Sequence, residues 1–439
     1  MMADRNAVEG IIEAKYIKSP AEVGRDDKSR EEVEKTVEEI MRAVRERGDS
    51  ALKEFTRKFD GCEINDFRVS EEVICNEVKS LSDEIKNLID FAISNVKKFA
   101  EAQLKSLKSI ELEVLPGVHL GHKIIPVERV GAYVPGGRYP LLSSAVMSIV
   151  PAKVAGVSKV IACTPPGKDG KINPAILYAM KSSGADEIYA VGGAQAIAAM
   201  AFGTETIKAV DVIVGPGNKW VVEAKRQVYG IVGIDLLAGP SEILVIADET
   251  GDPEIIAADL LAQAEHDVDA KPILITTSEE VGFKVLEKIK STLQELPTGN
   301  VASESWRRNG IIAIVPDLDQ AALLSDYYAP EHLEVHVKDP FYMFDRLRNY
   351  GSLFLGVNAA VVFSDKNSGT NHILPTGRAA RYTGGLWVGT FLKVVTYQWV
   401  EDRGVNLLSQ MAAKQSAYEG LEGHRLSAAI RNRMLLEKE

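Results

Sequence analysis

The sequence predicts an α/β fold in two halves, each on a largely parallel sheet, with a helical segment before them and a tail after. Two observations carry this. From Val127 onward, short β-rich runs alternate with helical ones, as in βαβ units, where a parallel strand needs a crossover helix to return. The alternation breaks near 235–242 and then resumes, which divides it into two halves.

The elements follow in order. Residues 30–60 and 80–110 read as amphipathic, charge-laced helices; EEVEKTVEEIMRAVRERG is stopped by Gly48, and a long second stretch runs from Leu81 to Leu107. VSKVIACTPP, DEIYAVGG and DVIVGPG read as strands, separated by helices from Pro174 to Ser183 and through Gln195. A helix from Lys219 to Tyr229 leads to the strand SEILVIAD. Beyond Asp248 come a helix over 253–266, the strand PILITT, a helix over 279–294, and the strands GIIAIV and LEVHV. After Thr383 the rhythm is lost, and residues 387–439 read as a mostly helical tail.

Composition narrows the class. The 439 residues are 46% hydrophobic and 26% charged, enough chain for two or three domains with real cores. A formal net charge of −11 with no Lys/Arg-rich block argues against nucleic acid, because phosphate neutralisation needs clustered positive charge. The apolar run Tyr139–Ala152 is short, contains Ser and Pro, and is closed by Lys153, so no membrane span is expected. MMADRNAVEG lacks a basic stretch followed by an apolar core, and three cysteines, Cys62, Cys75 and Cys163, have no metal-type spacing. A reducing cytoplasm is the expected location.

Four of the seven histidines sit in specific polar contexts. Gln263 and His266 are three apart on one helical face and offer oxygen and imidazole donors suited to zinc. By itself this pair is better explained as a solvated helix end with His against the dipole. Asp365 and His372 share the loop-like FSDKNSGTNHILPT, which reads as readily as an Asx-type turn. His424 follows Glu419 by five residues in EGLEGHR, and alone both read as surface positions. Glu331 and His332 adjoin at a strand entrance, a carboxylate and an imidazole fit for acid/base work; an isolated pair is weak evidence. Gly-rich turns at 131–140, 191–196 and 214–220 lack the GxGxxG spacing. The last two lie between strand and helix, where backbone N–H groups favour an anion, though tight packing explains them equally.

Taken together, the order and spacing of GAYVPGG, PAKVAGV, GGAQAIAAMAFGTETI, VDVIVGPGN, EAKRQV, AGPSEILVIAD, DLLAQAEHD, APEHLE, GSLFLG, SGTNHILPT and EGLEGH are specific. From about residue 30 to the end, the chain resembles histidinol dehydrogenases, which depend on zinc and NAD. The resemblance implies two incomplete Rossmann-like α/β sandwich halves and a C-terminal tail swapped into a homodimer. It groups residues 1–29 as an arm, and 30–132 with 242–386 as a domain carrying metal and acid/base residues. Residues 133–241 become the NAD-side domain and 387–439 the dimerisation tail.

It further implies zinc ligands Gln263, His266, Asp365 and His424, the last supplied across the dimer. Glu331 and His332 become the acid/base pair, Ser241, His372 and Glu419 substrate contacts, and Tyr133, Gln195 and Asn218 NAD contacts. The implied reaction takes a primary alcohol through an aldehyde to a carboxylate with two NAD. A non-catalytic homologue is the alternative of another class; complete ligand and acid/base sets argue against it.

Three features depart from histidine-making members: Arg138 in GGRYP, Lys366 beside Asp365, and TGRAARYTGGLWVGTFLKVVTYQ. Arg138, Lys366, Arg378 and Arg381 suit an anionic substrate, since guanidinium binds a sulfonate or carboxylate through two parallel hydrogen bonds. GRYP with RYTGGLWVG resembles the sulfopropanediol 3-dehydrogenase branch, which oxidises 2,3-dihydroxypropane-1-sulfonate to sulfolactate. L-Histidinol is the alternative substrate.

Overall fold

Helices begin where the sequence supplies a cap. Asn173 accepts from Ala175 N ahead of Pro174, and Asp252 accepts from Glu254 N and Ile255 N ahead of Pro253. Asn218 accepts from Trp220 N and Val221 N. Each side chain satisfies an amide that the first helical turn leaves unpaired, and proline loses nothing at that position. Gly48, at φ 52°, ends one N-terminal helix and lets the next start at Asp49.

The computed structural model describes residues 13–21, 27–136 and 140–437. Strands along the chain are β1 (Lys15–Lys18), β2 (Ile110–Leu115), β3 (Val118–Pro126), β4 (Arg129–Tyr133), β5 (Lys159–Thr164), β6 (Glu187–Ala190) and β7 (Val212–Val214). They continue as β8 (Gly233–Ile234), β9 (Glu242–Ala247), β10 (Lys271–Thr276), β11 (Ile311–Ile314), β12 (His332–His336), β13 (Ser352–Leu355) and β14 (Leu392–Val400).

One sheet has the order β6-β5-β4-β7-β8 and pairs in parallel throughout. A six-stranded sheet has the order β1-β11-β10-β9-β12-β13, parallel except for β1 on its edge. In both, the parallel strands build outward on one side of the first of them, β4 or β9, and then cross to the other side. The reversal falls between β4 and β7 in the first sheet and between β9 and β12 in the second, leaving a crevice at each reversal. This is the mixed α/β architecture with mostly parallel sheets that the alternating pattern predicts. Strand β9 is buried along all of its residues, as a parallel strand covered on both faces must be.

The β4–β7 crevice is built by a close approach. Gly215 has φ +117°, and a Cβ there would lie 2.1 Å from Tyr133 O, so only glycine fits. Asp235 accepts from Gly215 N at 2.7 Å, and the buried Lys225 ammonium donates to Gly215 O at 3.0 Å and pairs with Asp235.

Two expectations are corrected. Val33, Val37, Ile40, Val44, Leu52 and Phe55 close the core of the five-stranded sheet, not that of the sheet formed by 242–386. Amphipathic periodicity identifies the buried face of a helix but not the sheet that receives it. Residues 103–127 and 392–439 form a separate compact unit. It contains an antiparallel sheet of order β14-β3-β2 and the helices Asp402–Tyr418 and Glu422–Leu436. Residues 103–127 thus join the tail and not the 242–386 domain, and the tail, mostly helical as expected, also supplies LKVVTYQWV as β14. Its β-branched and aromatic residues favour a strand. Among the described residues, no helix is long and apolar enough to cross a membrane.

Candidate active site

The amino ends of the adjacent strands β9 and β12 bring the acid/base candidates together. His332 opens β12 and is 2% exposed, and Glu331 precedes it at 6%. Glu331 Oε2 accepts from Glu242 N at 2.9 Å and lies 3.5 Å from His332 Nδ1. On the other ring nitrogen, Asp365 Oδ1 lies 3.7 Å from His332 Nε2. Burial alone would lower the His332 pKa, but the Glu331 and Asp365 carboxylates outweigh it and hold it well above the ordinary value. Burial likewise acts to raise the Asp365 pKa, and the His332 imidazole, helped by His372 and Lys366, drives it well below the carboxylate range.

The helix Pro253–Ala264 supplies Gln263, whose Nε2 is 2.9 Å from His332 Nδ1. Its carbonyl oxygen is the donor a metal would take. His266 stands just beyond that helix, where desolvation lowers its pKa against the opposing pull of Asp365. Asp365 sits on a short helix, Val361–Lys366, and not in the expected loop. Asn367, Ser368 and Gly369 come only after it, so the loop reading started too early. His372 Nδ1 meets Asp365 O at 3.1 Å, and burial lowers its pKa.

His332 Nε2 and Asp365 Oδ1 are buried without a hydrogen-bond partner. Unsatisfied polar atoms at such a place call for an explanation. The Gln263 amide oxygen, the His266 imidazole and the Asp365 carboxylate are a donor set that fits a divalent ion such as zinc, which would engage Asp365 Oδ1. Thus Gln263, Asp365 and His332 are drawn together, with His266 within electrostatic reach of Asp365. Ser241 precedes β9 at the same end, half-buried, its carbonyl accepting from Lys271 N at 2.9 Å. Glu419 and His424 belong to the second unit, where both are exposed.

The NAD candidates all follow carboxyl ends of strands in the other sheet. Tyr133 ends β4, is 4% exposed, and accepts from Gly193 N through its hydroxyl at 3.1 Å. Burial pushes its pKa up to about 12. Gln195 is buried in the helix Gly193–Phe202, and Asn218 caps Lys219–Val228.

Of the four expected cations, Lys366 is exposed and close enough to act on His266, Asp365 and His372. Arg378 lies over the Tyr327 ring at 4.5 Å, and Arg381 is exposed. Arg138 lies outside the described residues.

Sequence reasoning missed Glu242. Its carbonyl lies 3.0 Å from His332 Nδ1 and its amide holds Glu331. Its carboxylate accepts from Lys271 Nζ at 2.5 Å and from Gly377 N at 3.2 Å. An acidic residue opening the otherwise apolar run EILVIA was the available signal.

The histidinol dehydrogenase family profile matches residues 23–432. The chain belongs to the histidinol dehydrogenase family. A histidinol dehydrogenase homolog of Shouchella clausii is 48% identical over 95% of this chain and 98% of its own. Histidinol dehydrogenase of Methanothermobacter thermautotrophicus is 45% identical, covering 88% of this chain and 91% of its own. Sulfopropanediol 3-dehydrogenase of Ruegeria pomeroyi is 42% identical over 95% of each. The crystal structure of histidinol dehydrogenase from Elizabethkingia anophelis superposes with a TM-score of 0.89 at 36% identity, covering 99% of this chain and 97% of that one.

Proposed function

We propose that this family member is a zinc- and NAD-dependent dehydrogenase that oxidises a primary alcohol through the aldehyde to the carboxylate. One alcohol, one water and two NAD⁺ give one carboxylate, two NADH and three protons. The observation that carries the reading is His332, buried between Glu331 and Asp365 with its Nε2 lacking a hydrogen-bond partner.

Gln263, His266 and Asp365, with His424 of the partner subunit, would hold zinc, which when bound orients the alcohol and stabilises negative charge on its oxygen. With Asp365 engaged by the metal and the Nδ1 proton donated to the Glu242 carbonyl, His332 Nε2 would be free to take the hydroxyl proton as hydride leaves for the nicotinamide. Its Nδ1 side, packed on Gln263 and Glu242, fixes the ring for that transfer. Glu331 Oε2 is anchored by Glu242 N, which leaves Oε1 to activate the water that attacks the aldehyde. Ser241, His372 and the partner's Glu419 position the substrate. Tyr133, Gln195 and Asn218 border the NAD crevice, where helix N-termini favour a pyrophosphate. The exposure of Glu419 and His424 supports a homodimer with shared sites, and the three free cysteines favour a reducing, cytoplasmic location.

The substrate we favour is 2,3-dihydroxypropane-1-sulfonate, oxidised to sulfolactate. Lys366 supports it as a cation beside Asp365 and His372, and so does the Ruegeria relative. L-Histidinol, oxidised to L-histidine, is the second reading, favoured by the relatives that bear that enzyme's name. The test is NADH formed per molecule of each alcohol by zinc-loaded protein. Two NADH from the sulfonate alone supports the first reading, and two from L-histidinol alone replaces it with the second. No NADH from either removes the dehydrogenase reading and revives a non-catalytic homologue.

A further inference from the structure

Strand β12 alternates in an unusual way for a buried strand. Leu333 and Val335 enter one apolar core, so His332, Glu334 and His336 share the opposite face. On the helix that covers this face, Asp259 lies four residues before Gln263 and therefore on the same stripe. Behind the site just described there is thus a second cluster: Asp259, Glu334 and His336. Donor atoms of the three all lie within 4.8 Å of one another.

These groups are deeply placed and poorly satisfied. Glu334 is fully buried and His336 is 4% exposed. Asp259 Oδ2, Glu334 Oε2 and both ring nitrogens of His336 are buried without a hydrogen-bond partner. Glu334 Oε1 accepts from Val361 N at 2.8 Å. His336 Nε2 stands 3.4 Å from Glu334 Oε2. Buried carboxylates left this way cost several kcal/mol unless something neutralises them.

We propose that Asp259, Glu334 and His336 bind a divalent transition-metal cation at a site separate from the one that oxidises the alcohol. Two carboxylates balance the dication's charge. One imidazole among oxygen donors suits zinc or manganese in preference to magnesium or calcium. The Val361 amide fixes Glu334 and turns Oε2 toward the ion, as outer partners of metal ligands commonly do. Asp259 is the half-buried member and gives the ion its route in, with water completing the coordination. Without a cation the cluster must retain a proton, and burial together with the Glu334 charge pushes Asp259 up to about 7. The ion displaces that proton. It ties together β12, the helix Pro253–Ala264 and the start of Val361–Lys366, the elements that carry His332, Gln263 and Asp365.

The test is metal stoichiometry. Full-length protein is stripped with chelator, dialysed against Zn²⁺, and its zinc per chain is measured by elemental analysis, with circular dichroism to confirm folding. Wild type is expected to hold two ions per chain, and His336→Gln and Asp259→Asn one each. His266→Ala, which removes only the other site, should also hold one. In His266→Ala, adding Zn²⁺ should raise Tm by several degrees, and that rise should vanish in the His266→Ala/His336→Gln double variant. The proposal is overturned if folded His336→Gln and Asp259→Asn keep the wild-type count, or if His266→Ala loses all zinc. Failure of the alcohol-site reading looks different: His266→Ala would keep the wild-type count while the His336 variant lost one ion.

Discussion

In the five-stranded sheet the strand order reverses between β4 and β7, and the NAD candidates Tyr133, Gln195 and Asn218 all follow carboxyl ends. In the six-stranded sheet the same order reverses between β9 and β12, yet Ser241, Glu242, Glu331 and His332 lie at amino ends. At the carboxyl ends of that second sheet the loops after β9 and β12 are tied to each other. Asp248 accepts there from Thr250 N and Lys338 N, both at 2.8 Å, and closes the turn. Carboxyl ends lead into helix N-termini, whose amides suit an anion. Amino ends present side chains without that dipole, so a buried acid and base can be set against each other there. One topology, used at opposite ends, thereby carries the candidate cofactor residues in one sheet and the candidate acid/base residues in the other.

The sharpest way to break this comparison is His332→Asn. Turnover should fall about 10³-fold, as loss of a general base does, while NAD affinity by titration stays at the wild-type value. A parallel loss of NAD binding would mean that the division of labour between the sheets is wrong. Glu331→Gln should fall by about 10²-fold and separate the two oxidations. Aldehyde should accumulate, and the NADH yield should drop from two per alcohol toward one in a stopped assay.

On the substrate side, Lys366→Ala should raise KM for the sulfonate about tenfold, which corresponds to about 1.4 kcal/mol. It should leave the L-histidinol KM unmoved; equal effects on both alcohols would deny Lys366 a part in anion recognition. The smallest effect belongs to the other sheet. Asn218→Ala removes an N-cap and should cost about 1 kcal/mol of stability, seen as a lower urea midpoint. It should raise KM for NAD without altering the NADH yield per alcohol.

Much of this was legible in the sequence because it depends on local rules. Capped, proline-started helices and continuous apolar strands place Gln263 on its helix and His332 at the start of β12 before any contact is known. Long-range choices were not legible. Periodicity gives the buried face of residues 33–55 but not the sheet that face covers. Asp365 looked like a loop residue because glycines follow it, and a helix as short as Val361–Lys366 has almost no pattern to read. Glu242 and Glu334 each stand inside an apolar run, where a single polar letter acquires meaning only once its partners are in place.

The polar face of β12 also bears on how the chain assembles. His332, Glu334 and His336 lie in a strand with neighbours on both sides, so water leaves them as soon as the sheet forms. Their partners Gln263 and Asp259, and the Val361 amide, come from helices far away in the chain. Until those helices dock, burying this strand removes hydration from three polar side chains and returns only the His332–Glu242 and His336–Glu334 contacts. Closure of the six-stranded half is therefore expected late in folding, after the five-stranded half, whose central strands β4 and β5 bury no carboxylate or imidazole. Interrupted refolding followed by hydrogen exchange should find the amides of β4 and β5 protected before those of β12.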